Sequence, residues 1–113
     1  MPFDIERPAP VGGVKIRTDG GYIIAGPDEK GCCVIHELWV HGRNRRNGTG
    51  RWLVGMVRRW AAERGYAPLL VHCSPGNTVG REFYEALGMR PVAVVYQDDM
   101  KGEGDGEQVD GPE

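Results

Sequence analysis

The hydrophobic pattern of this chain changes period in its middle, and the change is made across an arginine- and glycine-rich stretch. Cys32–Val40, CCVIHELWV, is the longest β-prone run and reads as a central strand. From Leu53 onward apolar residues recur at Leu53, Met56, Val57, Trp60 and Ala61, the spacing of one helix face. A helix is therefore predicted over about Gly50 to Arg64, with Gly65 placed to end it. Between strand and helix lies RNRRNGTGRWL, Arg43 to Leu53. A strand that feeds a helix through glycines constrains the fold to strand–helix units stacked as layers.

The remaining elements follow from the same two periods. VKIRT, Val14–Thr18, alternates like a half-buried strand, and the turn chemistry of Asp19–Gly21 predicts that YIIAG pairs with it as a hairpin. PDEKG turns again. PLLVHCS, Pro68–Ser74, lacks alternation and reads as a short strand covered on both faces. Thr78–Gly88 is a second helix with Phe83, Tyr84 and Leu87 on one side, and PVAVVYQ, Pro91–Gln97, a last strand. The order β-β-β-α-β-α-β gives an α/β (α+β) fold: a mixed central sheet of about five strands flanked by two main helices. Residues 1–13 read as an irregular lead-in, 14–97 as the domain, and 98–113 as a disordered tail, glycine-rich, acidic and too poor in apolar surface to order.

Charge is unevenly spread. From Gln97 onward there are seven acids and one base, so that tail carries −6 and the preceding residues about +4. Arg43, Arg45, Arg46, Arg51, Arg58 and Arg59 occur with no acid between Glu37 and Glu63, a positive patch suited to phosphate. No apolar run approaches the roughly 20 residues needed to cross a bilayer, and MPFDIERPAP has no secretory pattern. Three cysteines, two of them adjacent, make no disulfide framework. A cytoplasmic protein with reduced thiols is the expectation.

Most helices begin with a polar cap and an acidic first turn, because their exposed N–H groups carry partial positive charge. Here the helix start is basic instead. Gly48 and Gly50 permit close backbone approach and positive φ, and the flanking arginines add bidentate donors. The predicted ligand is a phosphate or pyrophosphate. The P-loop pattern is absent, and the dinucleotide fingerprint fails because Leu53 follows where a glycine is required.

ELWVHGRNRRNGTGRWL resembles the acyl-CoA site of the GNAT N-acetyltransferase superfamily. That family's pattern Gln/Arg-x-x-Gly-x-Gly/Ala, set between a strand and a helix, is met by Arg45, Gly48 and Gly50. A second segment, NTVGREFYEALGM, is similar to the family's Asn-x-x-Ala/Gly-x-x-x-Tyr-x-x-x-Gly-Phe/Met, with Asn77, Gly80, Tyr84, Gly88 and Met89 in place. The resemblance covers about Gly21 to Val95. It implies an acetyl-CoA-dependent N-acetyltransferase that transfers an acetyl group directly to an amine acceptor without a metal. It also implies that Leu38, Trp39 and Val40 bond the pantetheine arm, that the loop Arg45, Arg46, Asn47, Gly48, Thr49, Gly50, Arg51 binds the pyrophosphate, and that Asn77 contacts the CoA arm. Tyr84 would be the general acid toward the departing thiolate.

A base is also needed. His36 and Glu37 are neighbours on the central strand and in a regular strand face opposite sides, although the family's strand usually carries a bulge that upsets the alternation. Glu37 fits the family tendency for an acid near this point, while imidazole has the better ordinary pKa, about 6.5. The order of candidates is Glu37, His36, then His72 through a water. Cys73 beside His72 points the wrong way for a Cys–His nucleophile. Zinc through Cys32, Cys33, His36 and His41 fails on spacing.

Ordinary members of the family wall the acceptor side with a strand and two helices. Here about 20 residues precede the hairpin's second strand, Pro2, Pro8 and Pro10 oppose helices there, and the last hairpin strand is missing. The expectation is a trimmed member whose acceptor site is shallow and open, suiting a protein, peptide or polymer-borne amine, or is completed by a second subunit as a homodimer. Two other functions stay open: a catalytically inactive CoA-binding regulatory or interaction module, and an acyltransferase acting on a nucleic-acid-borne amine. The arginines motivate the second, and the lack of clustered stacking aromatics or a helix-turn-helix opposes it.

Overall fold

In the computed structural model, which describes residues 9–42 and 48–100, the hairpin turns at Asp19–Gly20. Gly20 N donates to Thr18 Oγ1 at 3.0 Å and the strands β1 (Val14–Thr18) and β2 (Gly21–Pro27) pair antiparallel from Thr18↔Gly21 to Val14↔Ala25. Strand β3 (Cys33–Val40) pairs antiparallel with β2. Helix α1 (Thr49–Arg64) then carries the chain across to β4 (Leu69–Val71), which runs parallel to β3, and α2 (Thr78–Ala86) follows. The sheet order is β1-β2-β3-β4.

Between Asp28 and Cys32 the chain is tied by its own backbone and by one carboxylate. Asp28 Oδ1 accepts from the N–H groups of Lys30 and Cys32, both at 2.9 Å. Cys33 N donates to Pro68 O and Ala67 N to Gly31 O, so the starts of the two parallel strands are joined before their ladder begins.

Register in β2–β3 slips once. Ile24 faces Glu37 and Ala25 faces Ile35, leaving His36 as the extra residue of a β-bulge. The bulge reverses the alternation: Cys33 and Ile35 before it, and Leu38 and Val40 after it, all turn toward α1. Glu37 and Trp39 consequently share the other face.

The core lies between sheet and α1. Ile23, Ala25, Cys33 and Ile35 meet Leu53, Val54, Val57 and Ala61, all buried. Full burial of a Val, Leu or Ile side chain stabilises by about 1.5–3 kcal/mol, and this cluster is the main apolar contribution. The helix face differs from the sequence expectation by a small rotation: Val54 joins the buried stripe, while Met56 and Trp60 are only half-buried. Gly65, at φ 78°, donates to the carbonyls of Ala61 and Ala62. Tyr66 N donates to Ala61 O at 2.9 Å, a Schellman closure whose apolar contact is the Trp60–Tyr66 ring pair at 5.6 Å.

Two expectations are corrected. PLLVHCS forms a strand only over Leu69–Val71, and these residues are half-buried instead of covered on both faces, because β3 and β4 part after Ile35↔Val71. Pro91–Gln97 is not a strand: the described sheet has four strands, and Val92, Val94, Val95 and Tyr96 are exposed. Strand propensity by itself supplies no hydrogen-bonding edge and no covering layer. No helix among the described residues is long and apolar enough to cross a membrane. Residues 1–8 of the lead-in and 101–113 of the tail lie outside the described residues.

Candidate functional site

The site is built where β3 leaves β4. With the parallel ladder ended at Ile35↔Val71, the two strands splay, and the cleft between them is lined by Val34, Ile35, His36, Glu37, Leu38, Val71, His72 and Tyr84. The structure thus brings Tyr84 and all three candidate bases to one cleft. His36 and His72 are exposed, whereas Glu37 and Tyr84 are half-buried.

Helix α1 begins at the far end of β3, and its start is unusual. Its N-cap is Gly48 at φ 94°, with no side-chain cap hydrogen bond and no acid in the first turn. Among the described residues a Cβ at Gly48 would meet nothing within 4 Å, so its left-handed backbone, and no close neighbour among them, calls for glycine here. Gly48 supplies no side-chain cap to the first turn, whose N–H groups lie at the positive end of the helix dipole, an arrangement that suits an anion. Thr49, Gly50 and Arg51 form this turn. Arg45, Arg46 and Asn47, expected to join them, lie outside the described residues.

Gly50 has a different reason. It is helical, not at positive φ as the sequence allowed, and a Cβ there would lie 3.1–3.2 Å from the Phe83 ring. Its smallness lets α2 close onto the start of α1. Arg58 Nη2 strengthens that contact by donating to Leu87 O at 2.9 Å. Sequence reasoning assigned both glycines to the ligand. Packing against Phe83 could be recognised only once the two helices were placed together.

Along β3 the backbone direction separates the three expected strand residues. His41 N donates to Gly20 O at 2.7 Å, and the Trp39 carbonyl oxygen lies where a Cβ of Gly21 would come within 2.2 Å. Backbone alternation therefore turns Trp39 toward β2, and Leu38 and Val40 toward the splay. Asn77 is the N-cap of α2, its side chain accepting from Gly80 N.

Burial pushes the Tyr84 phenol up from its ordinary value of 10.0, and the neighbouring Cys73 adds to the rise. The hydroxyl therefore stays protonated across the neutral range. Glu37 accepts a hydrogen bond from Tyr22 Oη at 2.5 Å. Sequence reasoning missed Tyr22; its signal would have been its place opposite Trp39 once the hairpin register was known. Among the described residues no three His, Cys, Asp or Glu side chains converge as a metal site requires.

The sequence pattern of the Acetyltransferase (GNAT) family matches residues 4–89. This chain belongs to the GNAT acetyltransferase family. Solved structures share its fold. A putative streptothricin acetyltransferase from Bacillus anthracis, in complex with acetyl coenzyme A, superposes with a TM-score of 0.59 at 23% identity, over 61% of this chain and 39% of that one. The ribosomal-protein-S18-alanine N-acetyltransferase from Escherichia coli gives 0.62 at 18% identity, over 73% and 56%. The anti-CRISPR protein AcrVA5 gives 0.61 at 26% identity, over 82% and 93%. This GNAT chain thus spans less than two thirds of the first two, and nearly the whole of AcrVA5. No curated protein matches it in sequence.

Proposed function

We propose that this GNAT-family chain is an acetyl-CoA-dependent N-acetyltransferase acting on an amine presented at an open surface, such as a protein or peptide amine. The observation that carries the reading is the splay of β3 from β4, which gathers Glu37, His36, His72 and Tyr84 in one cleft, with a helix start that has a left-handed glycine as its N-cap following the far end of β3. The αL glycine at 48 and the absence of acid in the first turn fit a pyrophosphate. Acetyl-CoA would supply the activated acetyl thioester.

In this reading the first turn of α1, Thr49 to Arg51, holds the pyrophosphate, with Arg45, Arg46 and Asn47 extending the loop. The backbones of Leu38 and Val40 align the pantetheine arm, and a backbone N–H near Val40 donates to the thioester oxygen as it gains charge. Glu37 takes the proton of the attacking amine, with His36 and His72 as the other bases in reach of the cleft. Tyr84, kept neutral by burial, donates its O–H to the sulfur as the thiolate leaves. Asn77 supports this step by starting α2, which carries Tyr84 on its second turn.

Two features favour a surface-borne acceptor. The cleft is open and carries two exposed histidines, and α1 covers only one face of the sheet. The test is thiol release from acetyl-CoA in the presence of lysine-containing peptides, N-terminal peptide amines and small polyamines, with Tyr84→Phe alongside. Acceptor-dependent release reduced at least tenfold by Tyr84→Phe supports the reading. Tight acetyl-CoA binding with no release for any amine would instead make the chain a CoA-binding module.

A further inference from the structure

We infer that Tyr22 is a positioning residue for the base: its phenol orients the Glu37 carboxylate and holds it in the charged, proton-accepting form. The inference rests on the acetyltransferase reading for its catalytic meaning, and on geometry alone for the contact.

The bulge at His36 is the starting point. In an unbroken strand Glu37 would share a face with Cys33 and Ile35 and point into the core against α1. The extra residue turns it to the opposite face, where a carboxylate can remain ionised. On that face Tyr22 sits opposite Trp39, and Glu37 is two residues before Trp39 on the same strand. This diagonal is within reach of a long side chain and an aromatic ring, and Tyr22 Oη donates to Glu37 Oε2 at 2.5 Å.

The phenol is itself held. Its ring stacks on Trp39 with centroids 6.0 Å apart and planes 27° from parallel, and Trp39 is edged by the His41 ring at 5.6 Å. Lys15 Nζ lies 5.8 Å from the Tyr22 ring centroid. A donor fixed this way orients its acceptor instead of following it.

A hydrogen bond donated to a carboxylate favours the charged form and lowers its proton affinity. The groups in these surroundings are Lys15 and Arg17 from β1, in register with Ile24 and Tyr22, His36 from β3, His72 after β4 and Tyr84 from α2, and His41 just past the end of β3 against Trp39. Within this group of residues Tyr22 Oη donates directly to the Glu37 carboxylate. Removing only the phenol oxygen isolates its effect.

The experiment compares wild type, Tyr22→Phe, Glu37→Gln and the double variant. Tyr22→Phe keeps the ring and its stack. Its acid limb of kcat/KM moves to higher pH, because a carboxylate without its donor binds protons more tightly, and kcat/KM below that limb falls about fivefold. In the Glu37→Gln background the same change has no further effect. A rate loss that is equal in both backgrounds, or an unmoved acid limb, overturns the inference and leaves Tyr22 a structural residue. The contact is tested separately by following the Glu37 side-chain carboxyl carbon by NMR through an acid titration. Its midpoint is lower in wild type than in Tyr22→Phe, and equal midpoints refute the inference whether or not the protein turns over acetyl-CoA. An intact acid limb in Glu37→Gln would instead remove Glu37 as the base, while the NMR titration still decides what Tyr22 does to its carboxylate.

Discussion

The side-chain oxygen of Asn77 accepts the amide hydrogen of Gly80 at 2.9 Å, and the Asn77 amide fills the space where a side chain at position 80 would begin. A Cβ on Gly80 would lie 2.5 Å from Asn77 Nδ2. Two residues of the Asn-x-x-Gly pattern are thus explained as one capping unit, whatever Asn77 also contributes toward a ligand. Asn77→Ala is expected to cost about 1 kcal/mol. Gly80→Ala gains helix propensity but displaces the cap, so it is close to neutral in wild type and stabilises by about 1 kcal/mol in the Asn77→Ala background. Urea unfolding of the four proteins checks this.

Gly48 and Gly50 fail differently when replaced. At Gly48 the backbone is left-handed and no described residue lies within 4 Å of a Cβ there, so Gly48→Ala costs about 1–2 kcal/mol of conformational strain. At Gly50 the obstacle is Phe83, and Gly50→Val destabilises by about 1–3 kcal/mol through overpacking. Replacing Phe83 with leucine as well relieves much of the Gly50→Val penalty and none of the Gly48→Ala penalty.

Tyr84 has a raised phenol pKa, by burial first and Cys73 second. Its neutral form, the one able to donate, therefore persists above the ordinary value of 10.0. A pH–rate profile of wild type shows no loss from Tyr84 ionisation below that value. Tyr84→Phe lowers kcat by about 100-fold and leaves acetyl-CoA affinity within about threefold, since it removes one hydroxyl far from the pyrophosphate turn.

The Asp28 carboxyl is held below its ordinary value of 3.8, chiefly by the Cys32 backbone N–H and then by that of Lys30. A depressed carboxyl contributes stability that is complete above the unfolded value and is lost as pH falls through the folded one. The difference in urea midpoint between wild type and Asp28→Ala is therefore constant above about pH 5 and shrinks below pH 4. A difference that grows on acidification would contradict the assignment.

The two periods in the sequence placed β1, β2, β3 and both helices to within two residues, because each carries its own apolar stripe and its own stop. The αL stop at Gly65 and the hairpin at Asp19–Gly20 were legible for the same reason: the residue type demands the local geometry. Pro91–Gln97 was misread because strand propensity does not reveal whether an edge exists to receive it. Tyr84 is a candidate by motif spacing and Glu37 by the family's tendency for an acid near this point, whereas Tyr22 was not legible, since its bond to Glu37 depends on a one-residue slip at His36 that no local pattern announces. The second reason for a glycine at position 50, its closeness to Phe83, was not legible because Phe83 lies 33 positions away in the chain.

The central claim is that the first turn of α1 holds the pyrophosphate of acetyl-CoA. Titration calorimetry of acetyl-CoA into wild type and Gly48→Asp tests it most directly. Aspartate is among the residues that tolerate a left-handed backbone, and no described residue stands within 4 Å of a Cβ at position 48, so the fold survives while a negative charge enters the anion site. Micromolar binding to wild type that weakens at least tenfold in Gly48→Asp, and is restored toward wild type in Gly48→Asn, is the predicted result. Equal binding to all three proteins would contradict the placement, and no binding to any of them would contradict the acetyltransferase reading itself.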